Sequence, residues 1–389
     1  MLMIPGPTPV PQQILLASVS HPIDHQSGEF AKVMAEVTEG LKWLHQTQND
    51  VFILGTSGTG AMEVGIINFL SSGDRVLVGC NGRFGDRWVE LCEAYNLNVT
   101  KITAEWGKPL KPEQFRAQLQ ADATRQIKAV IITHSETSTG VLNDLETINS
   151  YVKAHGEALM IVDAVTSLGA VNLPMDNLGL DVVVSASQKG LMIPPGLGFV
   201  AVSPKAWKAH LNAKLPRFYF NLSQYRRNNI TNNRIFTPPV NLIIALQAAL
   251  QMMKTEGLSN IFARHQRQMK ATRAAIKNLG LPLLTADQDA SPALTTVVPD
   301  RVEAEQIRAA LKKHFNIAIG GGLGHLQGKI LRISHLGFVS ERDILTTISA
   351  LEVVLYSLGY NSLPLGAGIT AVAKIFAFKK LSDIRKNNS

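Results

Sequence analysis

A lysine and an aspartate each follow a strongly apolar stretch of this chain. Residues 182–184 are all valine and Lys189 follows shortly after them, while residues 158–162 are all apolar and Asp163 follows directly. Both stretches are typical of buried parallel strands, and open α/β sheets bind ligands at the carboxyl ends of such strands. A lysine there can form a Schiff base, and a carboxylate there can keep a pyridinium nitrogen protonated. The pair therefore points to pyridoxal phosphate, although an exposed lysine and a helix-capping aspartate explain it equally well when taken alone.

A third predicted strand end carries a loop rich in glycine, serine and threonine. The loop spans residues 55–60, and the apolar pattern of residues 61–70 predicts a helix directly after it. The free N–H groups, the hydroxyls and the positive end of the helix dipole suit a phosphate dianion. The loop is neither a P-loop nor a dinucleotide-binding turn, because it lacks both sequence patterns. Together the three strand ends favour a site for pyridoxal phosphate.

The elements that would position these residues alternate along the first two thirds of the chain. Apolar strands are predicted near 51–54, 75–79, 99–102, 128–133, 158–162, 181–184 and 197–202, and helices at 83–96, 112–120 and 143–154. This alternation predicts a mostly parallel sheet with helices on both faces. The pattern of residues 240–279 predicts two long helices with a break between them at Gly257.

The last third of the chain has a different pattern. Strands are predicted near 294–298, 316–319 and 330–334, and helices at 303–314 and 340–358. These elements predict a small α+β domain that carries Arg332. We therefore expect the active site to lie between two domains, where ligand sites are common.

Motifs spread along the chain resemble those of class V aminotransferases, which are pyridoxal phosphate enzymes of fold type I. Within that family, the chain is most similar to the alanine–glyoxylate and serine–glyoxylate aminotransferases. The segments that carry the resemblance are 5–11, 55–63, 134–141, 162–169, 187–196 and 320–333. They occur in order between about residue 4 and about residue 355. The resemblance implies an α/β fold with a large domain, built on a mostly parallel sheet flanked by helices, and a small C-terminal α+β domain.

The resemblance also implies a role for each matching residue. Lys189 would form the Schiff base and move the proton during the reaction, and Asp163 would hold the pyridinium nitrogen. Arg332 would bind the α-carboxylate of the substrate through its planar guanidinium group, and Gly6 would lie in the substrate site. The remaining cofactor contacts would be Ser57, Gly58 and Thr59 at the phosphate, Gln188 as a further phosphate donor, Thr137 at the 3′-oxygen and Phe84 on the ring face.

Two positions depart from the family pattern. Phe84 stands where relatives often have a tryptophan, which keeps the stacking surface but removes the indole N–H. In the family, a tyrosine and a threonine of the neighbouring subunit reach the phosphate. Thr237 matches the threonine, whereas Arg234 stands in the place of the tyrosine and could bind phosphate by its charge. The resemblance therefore implies a homodimer whose subunits share residues at each site.

The length and composition are typical of a large enzyme. A chain of 389 residues is longer than one typical domain. We expect an N-terminal arm at 1–20, a large cofactor-binding domain at 21–258, a small domain at 259–360 and an extension at 361–389. No apolar run is long enough to cross a bilayer and no secretory signal is present, so we expect a cytoplasmic protein. Cys80 and Cys92 are the only cysteines, which argues against a disulfide framework and against a metal site.

The net charge of +8 raises the question of a nucleic-acid partner. The basic residues are spread along the chain without interleaved aromatic residues, so we expect them to attract anionic ligands and not nucleic acid. Residues 366–380 form an apolar segment with a basic end. This segment could lie on a membrane surface, but we favour its docking on the small domain or on a partner subunit.

The predicted reaction is the transfer of an amino group from alanine or serine to glyoxylate or pyruvate. A 2-aminoethylphosphonate-type transaminase is disfavoured by Arg332, since that substrate has no α-carboxylate to bind. Cysteine desulfuration is disfavoured because the loop 316–329 has no cysteine. A non-catalytic or redox-complex subunit remains an alternative, because some relatives of this kind carry a soluble hydrogenase label.

Overall fold

A seven-stranded sheet forms the centre of the larger part of the molecule. The computed structural model describes residues 1–231, 236–360 and 364–377. The strands are β1 (Leu2–Met3), β2 (Asp50–Gly55), β3 (Arg75–Cys80), β4 (Asn98–Thr103), β5 (Ile127–Thr133), β6 (Ser135–Glu136), β7 (Val141–Leu142), β8 (Leu159–Asp163), β9 (Val182–Ala186), β10 (Leu197–Val202), β11 (Leu294–Val297), β12 (Ala318–Gly321) and β13 (Leu331–Ser334). All ten strands predicted from the sequence are among them.

Helices cover both faces of this sheet and the smaller part of the molecule. They are α1 (Gln12–Ser18), α2 (Gly28–His45), α3 (Gly58–Ile67), α4 (Arg83–Ala94), α5 (Pro112–Ala121), α6 (Leu145–His155), α7 (Met175–Leu178), α8 (Pro204–Asn212), α9 (Leu222–Thr231), α10 (Val240–Glu256), α11 (Leu258–Asn278), α12 (Ala304–Phe315), α13 (Glu341–Ser357) and α14 (Ala367–Phe376). The sequence analysis predicted no element at α2, which begins with the cap Ser27, whose hydroxyl accepts the N–H of Phe30.

The large sheet has the strand order β2-β10-β9-β8-β5-β3-β4. Strand β10 runs antiparallel to both of its neighbours, while the strands from β9 to β4 pair in parallel. The fold class predicted from the sequence, an α/β fold with a mostly parallel sheet, is therefore confirmed. The carboxyl ends of β2, β8 and β9 lie on the same side of the sheet. Asp163 ends β8, Lys189 follows β9, and the glycine-rich loop begins at the end of β2.

The burial pattern of β9 explains why its sequence is a continuous apolar run. Val183 packs into the hydrophobic core on one face of the sheet, and Val182 and Val184 pack into the core on the other face. None of these three side chains is exposed. A strand covered by helices on both sides needs apolar residues at every position and not at alternate ones.

A second sheet of four strands has the order β1-β12-β13-β11. Its strand β1 comes from the N-terminus and pairs in parallel with β12, with Leu2 opposite Ala318 and Met3 opposite Ile319. Met3 is fully buried in the hydrophobic core of this part. The sequence analysis did not predict this pairing. The domain limits given above stay a prediction.

The C-terminal helix α14 packs against α11 and α13. Its residues Val372 and Phe376 belong to the same hydrophobic core as Met3, and the N–H of Gly368 donates to Glu352 over 2.7 Å. For residues 367–376, docking on the smaller part of the molecule is therefore confirmed. Among the described residues, no helix combines the length and the apolar content needed to span a membrane.

Candidate active site

Lys189, Asp163 and the glycine-rich loop line a single cavity at the carboxyl edge of the large sheet. Its volume is about 280 Å³. The predicted residues that line it are Gly6, Ser57, Gly58, Thr59, Phe84, Thr137, Asp163, Gln188 and Lys189. The structure therefore brings together nine of the residues that the sequence analysis named.

Lys189 is held by the N-terminal residues of the chain. Its ammonium group donates to the carbonyl of Pro5, and the hydroxyl of Thr8 donates to the Lys189 carbonyl over 2.9 Å. The N–H of Thr8 also donates to the carbonyl of Gln188 over 3.1 Å. Burial, followed by the positive charge of Arg332, lowers the pKa of Lys189 to about 8. The neutral fraction of this lysine is therefore larger than that of an exposed lysine, and the neutral amine is the nucleophilic form.

Asp163 is the last residue of β8 and is almost completely buried. One of its carboxylate oxygens accepts the backbone N–H of Val165 over 2.8 Å. Burial raises the pKa of Asp163 to about 6, because removing water disfavours the charged form. A cation placed beside this carboxylate would compensate for the lost water, which fits a partner for a protonated ring nitrogen.

The glycine-rich loop ends at the start of α3. Ser57 caps this helix, and its hydroxyl accepts the N–H of Gly60 over 3.4 Å. A Cβ on Gly58 would lie 3.3 Å from side-chain atoms of Ala186 and Val165, so a side chain there would require these neighbours to move by a few tenths of an ångström. The helix start and its hydroxyls face the same cavity as Lys189.

Arg87 is a cavity residue that the sequence analysis missed. Its guanidinium group donates to the hydroxyl of Thr59 over 3.1 Å and lies 4.9 Å from the centre of the Phe84 ring. It therefore adds a positive charge next to the predicted phosphate loop. The helical spacing offered a signal, because Arg87 is three residues after Phe84 and so lies on the same face of α4.

Arg332 lies in a second cavity that adjoins the first. This cavity has a volume of about 730 Å³, and both cavities are lined by Gly6, Phe84, Thr137 and Lys189. The guanidinium group of Arg332 donates through Nε to Gly321 over 2.7 Å and through Nη1 to the Thr137 carbonyl over 2.9 Å. These bonds fix its orientation, and burial lowers its pKa to about 10.

The two residues predicted to act across a subunit interface are not part of this arrangement. Thr237 lines a separate pocket together with Tyr219 and Pro239. Arg234 lies outside the described residues. Because both were predicted to reach the phosphate of a neighbouring subunit, the structure of one chain does not test them, and their role stays a prediction.

The donors and acceptors in the first cavity fit pyridoxal phosphate. The cavity offers an amine, a buried carboxylate, the phenyl ring of Phe84 and a helix start beside Arg87. In addition, Oε1 of Gln188 and Oγ1 of Thr133, two buried atoms of lining residues, have no hydrogen-bond partner within the described part of the chain. Buried polar atoms without partners are rare in proteins and are expected where a polar ligand binds.

Comparisons with known proteins agree with this site. The family described as aminotransferase class V matches residues 12–341. The chain is 62% identical over 377 residues to a protein of Anabaena cylindrica named soluble hydrogenase 42 kDa subunit, covering 97% of this chain and 98% of that one. It is 38% identical over 374 residues to the L-aspartate–glyoxylate aminotransferase of Paracoccus denitrificans, covering 95% of this chain and 94% of that one.

A solved structure is similar as well. The alanine–glyoxylate aminotransferase from Nostoc sp. superimposes with a TM-score of 0.87 at 33% identity, covering 91% of this chain and 94% of that one. The resemblance found in the sequence is thereby confirmed, and the family implies pyridoxal phosphate as the cofactor. The family match and the cavity around Lys189 together establish that this chain belongs to the class V aminotransferases.

Proposed function

We propose that this chain transfers the amino group of a small amino acid, alanine or serine, to glyoxylate or pyruvate with pyridoxal phosphate bound at Lys189. The observation that carries this proposal is the single cavity that joins Lys189, Asp163 and the Ser57 loop and opens toward Arg332. We also propose that the enzyme works in the cytoplasm as a homodimer.

Pyridoxal phosphate, when bound, would supply an electrophilic carbon for the amino group and a ring that delocalises the electron pair released at the substrate Cα. Lys189 would attach to it and then act as the acid and base that moves the proton. With a pKa near 8, about one Lys189 in ten is neutral at pH 7, compared with about one in three thousand at its ordinary pKa. The buried position therefore prepares this lysine for both tasks.

Asp163 would hold the positive charge of the ring nitrogen. Its carboxylate is almost completely buried, and a charge pair there is stronger than in solution. Phe84 would cover the ring, and Ser57, Gly58, Thr59, Gln188 and Arg87 would bind the phosphate.

Arg332 would bind the α-carboxylate of both the donor and the acceptor. The fixed orientation of its guanidinium group would align the substrate Cα with the amine of Lys189, which lines the same cavity. Glyoxylate occurs in the names of the Paracoccus and Nostoc relatives, which supports it as the acceptor, whereas their named donors differ.

The test is the visible absorption of the purified protein loaded with pyridoxal phosphate. L-alanine or L-serine is expected to bleach the visible band, and glyoxylate or pyruvate is expected to restore it. The variant Lys189→Ala should show neither change, whereas Lys128→Ala, which removes an exposed lysine, should behave like the wild type. A wild-type protein whose band does not respond to either donor would overturn the proposal.

A second candidate function rests on the name of the Anabaena relative. Its printed name, a soluble hydrogenase subunit, and its 62% identity favour membership in a redox complex. Cys80 and Cys92 are both buried, and burial raises the pKa of each thiol to about 12, which makes them poor metal ligands. Recovery of a hydrogen-oxidising activity together with the chain from a cell extract, measured with a viologen dye, would favour this second candidate. Transamination by the chain without such an associated activity would favour the first.

A further inference from the structure

Glu305 and Arg308 line the cavity that contains Arg332. Both belong to α12, and Nη1 of Arg308 donates to Glu305 over 2.5 Å. Nε of Arg308 donates to the carbonyl of Ile319 over 3.2 Å, which anchors the arginine to β12. The proposed transamination of alanine or serine gives neither residue a task.

Gly321 brings the guanidinium groups of Arg308 and Arg332 close to each other. A Cβ at this glycine would lie 2.7 Å from Nη1 of Arg308, and the carbonyl of the same residue accepts Nε of Arg332 over 2.7 Å. The absence of a side chain at Gly321 leaves room for Arg308 beside the strand. Consistent with this proximity, the positive charge of Arg308 contributes, after burial, to the lowered pKa of Arg332.

The ion pair of Glu305 with Arg308 is easily exchanged. The side chain of Arg308 is 34% exposed and that of Glu305 is 54% exposed. Exposed pairs of this kind add little to stability, because water and salt screen them. Another carboxylate can therefore replace Glu305 at little cost, while the bond from Arg308 to Ile319 keeps the arginine in position.

We propose that Arg308 binds the side-chain carboxylate of a dicarboxylic amino acid, taking the place of Glu305, while Arg332 binds the α-carboxylate. When the substrate has no second carboxylate, the side chain of Glu305 remains paired with Arg308. This inference rests on the proposed transaminase function and extends its donors from alanine and serine to four- or five-carbon dicarboxylic amino acids. Two guanidinium groups that lie beside the same residue, Gly321, suit the two carboxylates of one small molecule.

The test compares the kcat/KM values of the loaded enzyme for L-aspartate, L-glutamate and L-alanine in the half-reaction. The ratio of the better dicarboxylic donor to L-alanine is expected to fall about 10- to 100-fold in Arg308→Gln, because a hydrogen-bonded charge partner is lost. The ratio should fall less in Arg308→Lys and should rise in Glu305→Gln, which removes the competing carboxylate. The control Arg342→Gln removes an exposed arginine outside both cavities and should leave the ratio unchanged.

The outcomes separate this inference from the proposed function. If L-alanine or L-serine reacts but neither dicarboxylic donor does, the inference is wrong and the proposed function stands. An unchanged ratio in Arg308→Gln would also overturn it, whatever the result in Glu305→Gln. If no donor reacts with the wild-type enzyme, the proposed function fails and the inference fails with it.

Discussion

The buried carboxylate of Glu136 accepts the backbone N–H groups of Phe84 and Gly85, each over 3.1 Å. Its second oxygen accepts the N–H and the hydroxyl of Ser138, over 3.0 and 2.6 Å. Glu136 thus satisfies donors at the N-terminus of α4, for which the helix has no backbone carbonyl partner. The same helix carries Phe84 and Arg87 into the cavity, so this carboxylate positions two residues of the proposed cofactor site.

Replacing Glu136 by glutamine should therefore weaken both the fold and cofactor binding. The amide nitrogen that replaces one carboxylate oxygen cannot accept a hydrogen bond. Either the N–H groups of Phe84 and Gly85 or the two donors of Ser138 therefore lose their acceptor. We expect the free energy of unfolding to fall by about 1–3 kcal/mol and the dissociation constant for pyridoxal phosphate to rise. Urea denaturation and a spectral titration measure the two effects.

The matched control for this variant is Glu90→Gln. Glu90 lies on the same helix, is 59% exposed and pairs with Arg83 over 3.0 Å. The loss of this surface pair should change the free energy of unfolding by no more than about 0.5 kcal/mol. Equal losses in the two variants would show that Glu136 has no special role at the helix start.

The lowered pKa of Lys189 predicts how its reactivity depends on pH. Since only the neutral amine reacts, acylation of Lys189 in the cofactor-free enzyme should increase about tenfold per pH unit below pH 8 and level off above it. Competitive labelling with an amine-selective reagent, followed by peptide mass spectrometry, gives the midpoint. A midpoint near the ordinary lysine value of 10.5 would contradict the burial effect.

The charges around Lys189 predict shifts of this midpoint in opposite directions. Arg332 lowers the pKa of Lys189 and Asp163 raises it. Arg332→Gln should therefore move the midpoint to higher pH, and Asp163→Asn should move it to lower pH. The surface variant Arg342→Gln should leave the midpoint in place.

Gly6 leaves the space that the Lys189 side chain occupies. A Cβ on Gly6 would lie 2.6 Å from Cε and 2.7 Å from Nζ of Lys189. Gly6→Ala should displace the amine and lower kcat by about 100-fold, since misplacement by about 1 Å has effects of that size. The measurement is the steady-state rate with saturating donor and acceptor.

Gly156 provides a control that distinguishes the effect of this contact from the effect of backbone strain. Both Gly6 and Gly156 have positive φ, +132° and +88°, but a Cβ on Gly156 would contact no atom within 4 Å. Gly156→Ala should therefore reduce stability without changing kcat. If Gly6→Ala kept the wild-type kcat, the proposed position of the amine would be wrong.

The docking of α14 predicts a difference between two valines. Val372 is fully buried between α14 and the smaller part of the molecule, whereas Val353 on α13 is 44% exposed. Val372→Ala should lower the free energy of unfolding by about 1–3 kcal/mol, and Val353→Ala by no more than about 0.5 kcal/mol. Equal effects in urea denaturation would contradict the packing of α14.

The sheet and most of the site could be predicted from the sequence because parallel strands leave a strong local signal. A strand such as β9, buried on both faces, must be apolar throughout, and its end is marked by the first polar residues. Lys189 and Asp163 follow the neighbouring parallel strands β9 and β8, so their proximity could be predicted from the parallel arrangement. Ser57 follows β2, which ends on the same side of the sheet because β10 is antiparallel to both β2 and β9. The docking of residues 367–376 could be predicted from the apolar composition of that segment.

Other features could not be predicted because they depend on contacts between distant parts of the chain. The strand β1 has two residues, too few for any periodic pattern, and its partner β12 lies more than 300 residues away in the sequence. The hydrogen bonds of Pro5 and Thr8 with Lys189 likewise join residues more than 180 positions apart in the sequence. The bonds that Glu136 accepts likewise leave no mark in the sequence beyond an acidic residue among small polar ones.

The most direct test of the central claim is to locate the attachment point of pyridoxal phosphate. The loaded protein is reduced with borohydride and digested, and mass spectrometry finds the peptide that carries the pyridoxyl group. We predict that this group lies on Lys189 and that the Lys189→Ala variant carries no specific label. A wild-type protein without label, or one labelled only at lysines that are equally labelled in Lys189→Ala, would contradict the account.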